Sequence, residues 1–214
     1  MALALFDFDG TVTSADSFTP FVYFAASWLR IITGSVALSP LIIGYKLGLV
    51  STPRVRAAVA YVCFRGRKES EVNDLGRRYA ERLDRILRPE AMARIHWHQA
   101  QGHRVVIVSA SLAPYLRCWC AALGLDLIST ELEAHAGTLT GRYRGADCTG
   151  AEKARRVAAR YVLGSYSDIY AYGDTHEDLA LLRLATKAYF RGQEVTARSL
   201  EIHASSAPRI ATRD

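Results

Sequence analysis

A chain of 214 residues, half of them hydrophobic, can bury a sizeable core as one domain or as a domain carrying an insert, which excludes a disordered chain. Its formal net charge of +6 favours anionic partners. The arginines between Arg54 and Arg88 alternate with Glu69, Glu71, Asp74, Glu81 and Asp84, which is the pattern of solvated helix faces, so no nucleic-acid partner is expected. In chain order, residues 2–6 form a short apolar run that stops at charged residues and glycine, and they read as a buried strand. Residues 17–88 carry helical patterns with no competing strand. Within them the uncharged stretch 31–45 is broken by Gly34, Pro40 and Gly44 and is shorter than the ~18 residues of a spanning helix, so a buried helical hairpin is predicted. There follow a helix over 90–101, a strand over 104–108, a helix over 112–123 and a strand over 125–129. A glycine-punctuated hairpin over 137–145, a helix over 149–161, a strand over 169–172, a helix over 176–185 and an edge strand over 188–190 complete the series.

Alternating strands and helices predict an α/β fold, a Rossmann-like parallel sheet with helices on both faces, built from residues 1–16 and 89–214. Residues 17–88 are then an all-helical insert after the first strand. Ligands of open α/β sheets bind beyond the carboxyl ends of the strands, so an insert leaving there overhangs the site like a lid. Cys63, Cys118, Cys120 and Cys148 lack paired CxxC spacing, which points to reduced thiols and no zinc site. With no basic leader ahead of Asp7, a cytoplasmic location is expected.

Asp7-Phe8-Asp9-Gly10-Thr11 places two carboxylates at i and i+2 where a buried strand ends, on one side of extended chain. Holding both ionised in a crevice is costly without a compensating cation or proton, and a hard divalent ion such as Mg²⁺ suits oxygen ligands. Gly10 allows a tight turn that brings backbone N–H close to a phosphate oxygen. The same five residues are also compatible with a plain turn and helix cap. Gly173-Asp174-Thr175-His176-Glu177-Asp178 brings further acids to the same sheet edge. Asp174 is placed to share a metal with Asp7 and Asp178 to support it from outside, although Thr175 with Asp178 also fits a capping box. Ser109, followed by Ala110, offers a hydroxyl and N–H groups to an anion, or caps a helix. Lys153 offers a fixed positive charge to phosphoryl oxygens, while a lysine there is otherwise simply solvated.

In their order along the chain, Asp-x-Asp-Gly-Thr, a strand-terminal serine, a helical lysine and Gly-Asp-x-x-x-Asp resemble the four motifs of the haloacid-dehalogenase superfamily. The resemblance covers nearly all of the chain up to Gln193. The insert resembles that superfamily's type 1 cap, and Val-Ile-Val-Ser-Ala-Ser is similar to subfamily IB, the phosphoserine-phosphatase-like branch. The resemblance implies a phosphatase acting on a small phosphorylated metabolite, with Asp7 as nucleophile and Asp9 as acid and base. It also implies Mg²⁺ on Asp7, the Asp9 backbone carbonyl and Asp174, with Asp178 orienting through water. Gly10, Thr11, Ser109, Ala110 and Lys153 would bind the phosphoryl group, and Asp9 favours phosphate over carbon–halogen chemistry. For substrate choice it points to Asp16, which stands about where phosphoserine phosphatases carry a longer glutamate, and to Arg54 and Arg56. The apolar stretch 21–50 is expected to build the cap core; contact with a membrane surface, and hence a lipid phosphate, is the alternative. Transfer to an acceptor other than water would mark a phosphotransferase or mutase using the same nucleophile.

Overall fold

The computed structural model describes residues 1–205. Strand β1 (Leu3–Phe6) leads into the helices α1 (Phe18–Ala25), α2 (Trp28–Ala37), α3 (Ser39–Lys46), α4 (Thr52–Phe64) and α5 (Glu69–Ala80). The chain then returns through α6 (Pro89–Ala100), β2 (Arg104–Leu112), α7 (Ala113–Ala122) and β3 (Asp126–Thr130). A hairpin of β4 (Leu132–His135) and β5 (Thr138–Tyr143) precedes α8 (Ala151–Arg160) and β6 (Ile169–Gly173). The last elements are α9 (Leu179–Leu182), β7 (Lys187–Phe190), β8 (Gln193–Val195) and α10 (Ala197–Ser205). The main sheet runs β3-β2-β1-β6-β7-β8, parallel except for β8.

Period-two side-chain alternation splits each central strand between two cores. Ala4 and Phe6 of β1, Val105 and Ile107 of β2, and Tyr170 and Tyr172 of β6 join one cluster, which contains Ile95, Tyr115 and Leu116 and extends to Phe21, Phe64 and Tyr79 of the helical segment. Leu3, Leu5, Val106, Val108, Ile169 and Ala171 join the other, closed by Val157, Leu181 and Leu200 from α8, α9 and α10. Both faces of the sheet are therefore covered, as a parallel sheet requires. An aromatic stack crosses the strands: Phe6 lies on Tyr172 at 4.2 Å between ring centroids, and Tyr172 on Tyr189 at 4.8 Å.

Several sequence expectations need correction. Strand β2 continues four residues beyond 108, so Ser109 and Ser111 are buried in extended chain rather than at a helix start, and α7 begins only at Ala113. A register shift between Ser109 and Leu112 absorbs the extension, and the Ser111 N–H donates to the Ser109 hydroxyl at 3.0 Å, so the polar residues are satisfied inside the strand. The hairpin turns at Ala136 and Gly137, both at positive φ, and not within 137–145, because that alternating stretch forms the single strand β5. Residues 176–185 give a 3₁₀ turn and a short α9 rather than one helix. Strand β7 is not the edge, since β8 pairs with it through a turn at Arg191 and Gly192.

Residues 31–45 are two helices, as read, but they are not buried. Gly34 is the one buried residue of α2, and α3 has none. Gly34 admits α4, because a Cβ there would meet Val62 Cγ1 at 2.8 Å. The core of the helical segment is instead filled by the rings of Phe21, Phe64, Tyr79 and Tyr115. Periodicity gives α2 an apolar face but does not say whether a neighbour arrives to cover it.

His98 supplies a pH-dependent contact in the core. It is fully buried, its Nε2 lies 2.9 Å from the Tyr172 hydroxyl, and its Nδ1 lies 2.9 Å from Nδ1 of His103. Burial first, then His103 and Arg94, push its pKa down to about 4. The unfolded chain therefore takes up this proton before the folded one, so the contribution is complete above about pH 6.5 and is lost as pH falls toward 4. Thermal melts from pH 7 to 4 should show the wild type losing up to about 3 kcal/mol more over this window than His98→Gln; parallel curves for the two proteins would contradict the assignment.

Candidate active site

Parallel register builds the site. Phe6 stands opposite Ile107 on one side and Tyr172 on the other, so Asp7, Ser109 and Asp174 lie one or two residues further along, at the carboxyl edge of adjacent strands. The ladder extends to the Asp7 N–H, which donates to the Tyr172 carbonyl at 2.9 Å and fixes the residue at the strand end. Carboxylate oxygens of Asp7, Asp174 and Asp178 lie within 4.8 Å of one another. Gly10, at φ +88°, makes room for them: a Cβ there would fall 2.3 Å from Asp174 Oδ2. Thr11 donates its hydroxyl to Asp174 Oδ1 at 3.1 Å.

Lys153 is not solvated. It reaches inward from the first turn of α8, 3% exposed, and its Nζ donates to Asp7 Oδ1 at 2.5 Å and to Asp178 Oδ1 at 2.6 Å. Burial works against its charge, but the two carboxylates outweigh burial and hold its pKa above the ordinary lysine value. Asp178 shows the complementary balance: burial opposes its ionisation, yet Lys153 and the N–H groups of Thr175 and Asp174 keep its carboxyl below the usual range. Its Oδ2 accepts those two N–H groups and the Thr175 hydroxyl, so the capping box and the contact with the acids coexist in one residue. The site opposes the ionisation of Asp7. Burial pushes its carboxyl up to about 8 against the pull of Lys153, with Asp178 and Asp9 adding to the rise. Burial and the charge of Asp178 also raise Asp174.

Asp9 turns away from this trio. Its Oδ1 accepts the Ser17 N–H at 2.9 Å and its Oδ2 accepts the Ser111 hydroxyl, while burial raises its pKa above the usual carboxylate value. Ser17 in turn bonds the Tyr115 hydroxyl at 2.9 Å. Ser17 and Tyr115 escaped the sequence reading because neither belongs to a spaced motif, and Ser111, though part of Val-Ile-Val-Ser-Ala-Ser, was given no role; their contacts join residues 94 and 98 positions apart.

A haloacid dehalogenase-like hydrolase family model matches residues 4–183 of the chain. The chain belongs to that family. Protein CicA of Caulobacter vibrioides is 34% identical to this hydrolase over 197 residues, covering 88% of this chain and 85% of CicA. Among solved structures the fold is similar to that of a protein of unknown function from Bordetella pertussis Tohama I, with a TM-score of 0.70 at 22% identity over 87% of this chain and 88% of that one. It is also similar to a phosphoserine phosphatase captured as a phospho-aspartyl intermediate analogue, with a TM-score of 0.60 at 17% identity over 94% and 90% of the two chains.

The donor set of this hydrolase fits a hard divalent cation. Three carboxylates converge with one lysine to balance them, and oxygens at this spacing can share an ion whose ligands stand about 2.1 Å away. Arg56 joins the site from α4, donating to the Ala110 carbonyl at 2.7 Å and lying 4.6 Å over the Phe18 ring. Burial disfavours its charge, yet Asp147, Tyr143, Tyr115 and Asp9 raise its pKa. Arg56 Nε, the Tyr143 hydroxyl and Asp147 Oδ2 are buried without hydrogen-bond partners among the described residues, which marks a polar niche that a ligand can satisfy. Tyr143 and Asp147 were invisible in sequence, because the β4–β5 hairpin and its exit loop carry no recognisable spacing. The remaining two predicted residues stand at the edge of this region: Asp16 lines a cavity with Arg56, and Arg54 lines a cleft with Tyr143 and Asp147. Asp16 is exposed and accepts the N–H groups of Phe18 and Thr19 at the start of α1, while the exposed Arg54 side chain makes no hydrogen bond or ion pair among the described residues.

Proposed function

We propose that this hydrolase is a Mg²⁺-dependent phosphatase that cleaves a small phosphate monoester through an aspartyl-phosphate on Asp7. The observation that carries the reading is the division of labour between two carboxylates two residues apart: Asp7 faces Lys153 and Asp174, while Asp9 is held aside by Ser17 and Ser111. Asp7 attacks phosphorus, and the ester P–O bond breaks as Asp9 gives its proton to the leaving oxygen. Asp9 then takes a proton from water, which attacks the phosphorus of the acyl phosphate, releasing inorganic phosphate and the Asp7 carboxylate. The raised pKa of Asp9 suits a group that must carry a proton in the first step. Lys153, the Ser109 hydroxyl and the N–H groups of Gly10, Thr11 and Ala110 are assigned to the phosphoryl oxygens, where positioning and charge stabilisation do most of the work. Mg²⁺ would be held by Asp7, the Asp9 carbonyl and Asp174, with Asp178 outside them, and would offset phosphoryl charge. Residues 17–88 are assigned as the cap that closes over these groups, with Arg56 reaching from it to the site.

Phosphate release from an aryl phosphate tests the reading. Turnover should require added Mg²⁺, vanish with a chelator and return when Mg²⁺ is restored. No release from that ester, or from a panel including phosphoserine, histidinol phosphate and lysophospholipids, would sink it.

A further inference from the structure

The helices α2 and α3 present an apolar surface that no element among the described residues covers. Trp28, Ile32 and Val36 share one face of α2 at spacings of four, and Trp28 and Val36 are 72% and 71% exposed. Beyond them Leu47 and Leu49 are 69% and 74% exposed. Exposure of this kind in consecutive elements marks an interaction surface. The charge around it has one sign: residues 17–68 contain seven lysines and arginines and no aspartate or glutamate. Lys46 and Arg54 are exposed and have no acidic partner among the described residues. Tyr23 and Tyr45 are exposed beside the same helices, and amphipathic rings of this kind favour the boundary between lipid and water. No helix among the described residues is long and apolar enough to cross a membrane, and α2 and α3 meet at 61°. Their 10 and 8 residues reach only about 15 and 12 Å, so they suit lying in an interface rather than spanning it.

Behind this surface lies a cavity of about 470 Å³, lined by Phe18, Val22, Ile31, Leu38, Ile42 and Val59. Arg56 and Asp16 also line it. Arg56 is the same side chain that bonds the Ala110 carbonyl and carries an unpartnered Nε, so the apolar cavity and the acidic site meet at one cation.

We propose that the α2–α3 surface rests on an anionic lipid bilayer, and that the cavity receives the alkyl chain of a phosphorylated lipid whose phosphate passes Arg56 to reach Asp7. This names the substrate class of the phosphatase reading above and rests on it. Apolar burial should then appear in turnover: across butyl, hexyl and octyl phosphate below their micellar range, KM should fall roughly fourfold for each methylene that enters the cavity. The full-length protein with Mg²⁺ should sediment with vesicles of phosphatidylcholine doped with phosphatidylglycerol, not with phosphatidylcholine alone, and less so as salt rises. Trp28→Ser with Val36→Ser, at exposed positions, should weaken sedimentation at least tenfold while the melting temperature holds. A flat alkyl series, or no sedimentation, overturns the inference even if the aryl phosphate is hydrolysed. So does a concentration-dependent dimer, lost in the same variant, without vesicle binding, which would assign the surface to a second copy. Failure to hydrolyse any phosphate ester brings down the phosphatase reading and this substrate class together, while vesicle sedimentation reads the docking surface separately.

Discussion

Asp7→Asn is expected to abolish phosphate release, by a factor on the order of 10⁴ or more, while leaving the protein folded and no less stable. An amide keeps the shape of the side chain and can still offer oxygen to Lys153, but it cannot form an acyl phosphate. The stability claim follows from the pKa. Burial among acids raises the folded Asp7 carboxyl to about 8 from an ordinary value of 3.8. The folded state is therefore favoured below the unfolded value and loses that contribution as pH rises toward 8, so at neutral pH without metal the folded Asp7 must hold a proton that the unfolded chain has released, a cost that the neutral amide removes. For a chain of this size each kcal/mol recovered raises the melting temperature by about 2–4 °C. With Mg²⁺ the order should reverse, because the wild type gains a full ligand charge and the variant does not. Melts with and without Mg²⁺, run beside the aryl phosphate assay, read both effects. Full activity in the variant would remove Asp7 as nucleophile, and an equal Mg²⁺-induced rise in both proteins would remove it as a ligand.

The strands of the sheet were legible because each is a run of apolar residues flanked by charge or glycine, and a sheet buried on both faces leaves that signature. The convergence of Asp7, Ser109 and Asp174 was legible too, since residues that follow the apolar runs of adjacent strands fall at one edge once the strands are parallel, even though β2 itself runs on past Ser109. Lys153 was set apart only by the family resemblance, because nothing local distinguishes an inward lysine; its burial is set by two carboxylates 146 and 25 residues away. Ser109 to Ser111 resembled a strand end because their polar atoms look wet in sequence, whereas the fold satisfies them internally. The exposure of α2 and α3 was misread for a related reason: hydrophobicity records what a residue prefers, not whether a neighbour arrives to cover it. Arg56 was found as a charge, but its niche with Tyr143 and Asp147 exists only once the β4–β5 hairpin folds against α4.

Lys153→Met should cost stability and activity together, through separable causes. The ammonium is the cation that bridges Asp7 and Asp178, both nearly inaccessible to water. Removing one partner of a buried pair typically costs about 3–5 kcal/mol, because the charge left behind is neither paired nor hydrated. Here the low end is expected at neutral pH, since Asp178 keeps three hydrogen bonds from Thr175 and Asp174, and Asp7 can accept a proton. The deficit should therefore widen as pH rises above 8, where the wild-type Asp7 ionises beside its ammonium while the variant, without that pull, must still hold the proton. Activity should fall by roughly 10²–10³, the scale on which loss of one preorganised charge-stabilising donor acts. The double variant Lys153→Met with Asp7→Asn separates the two effects: removing the stranded carboxylate should restore much of the stability and none of the activity. A double variant no more stable than Lys153→Met alone, or a Lys153→Met protein as stable as the wild type, would show that the lysine does not balance these acids.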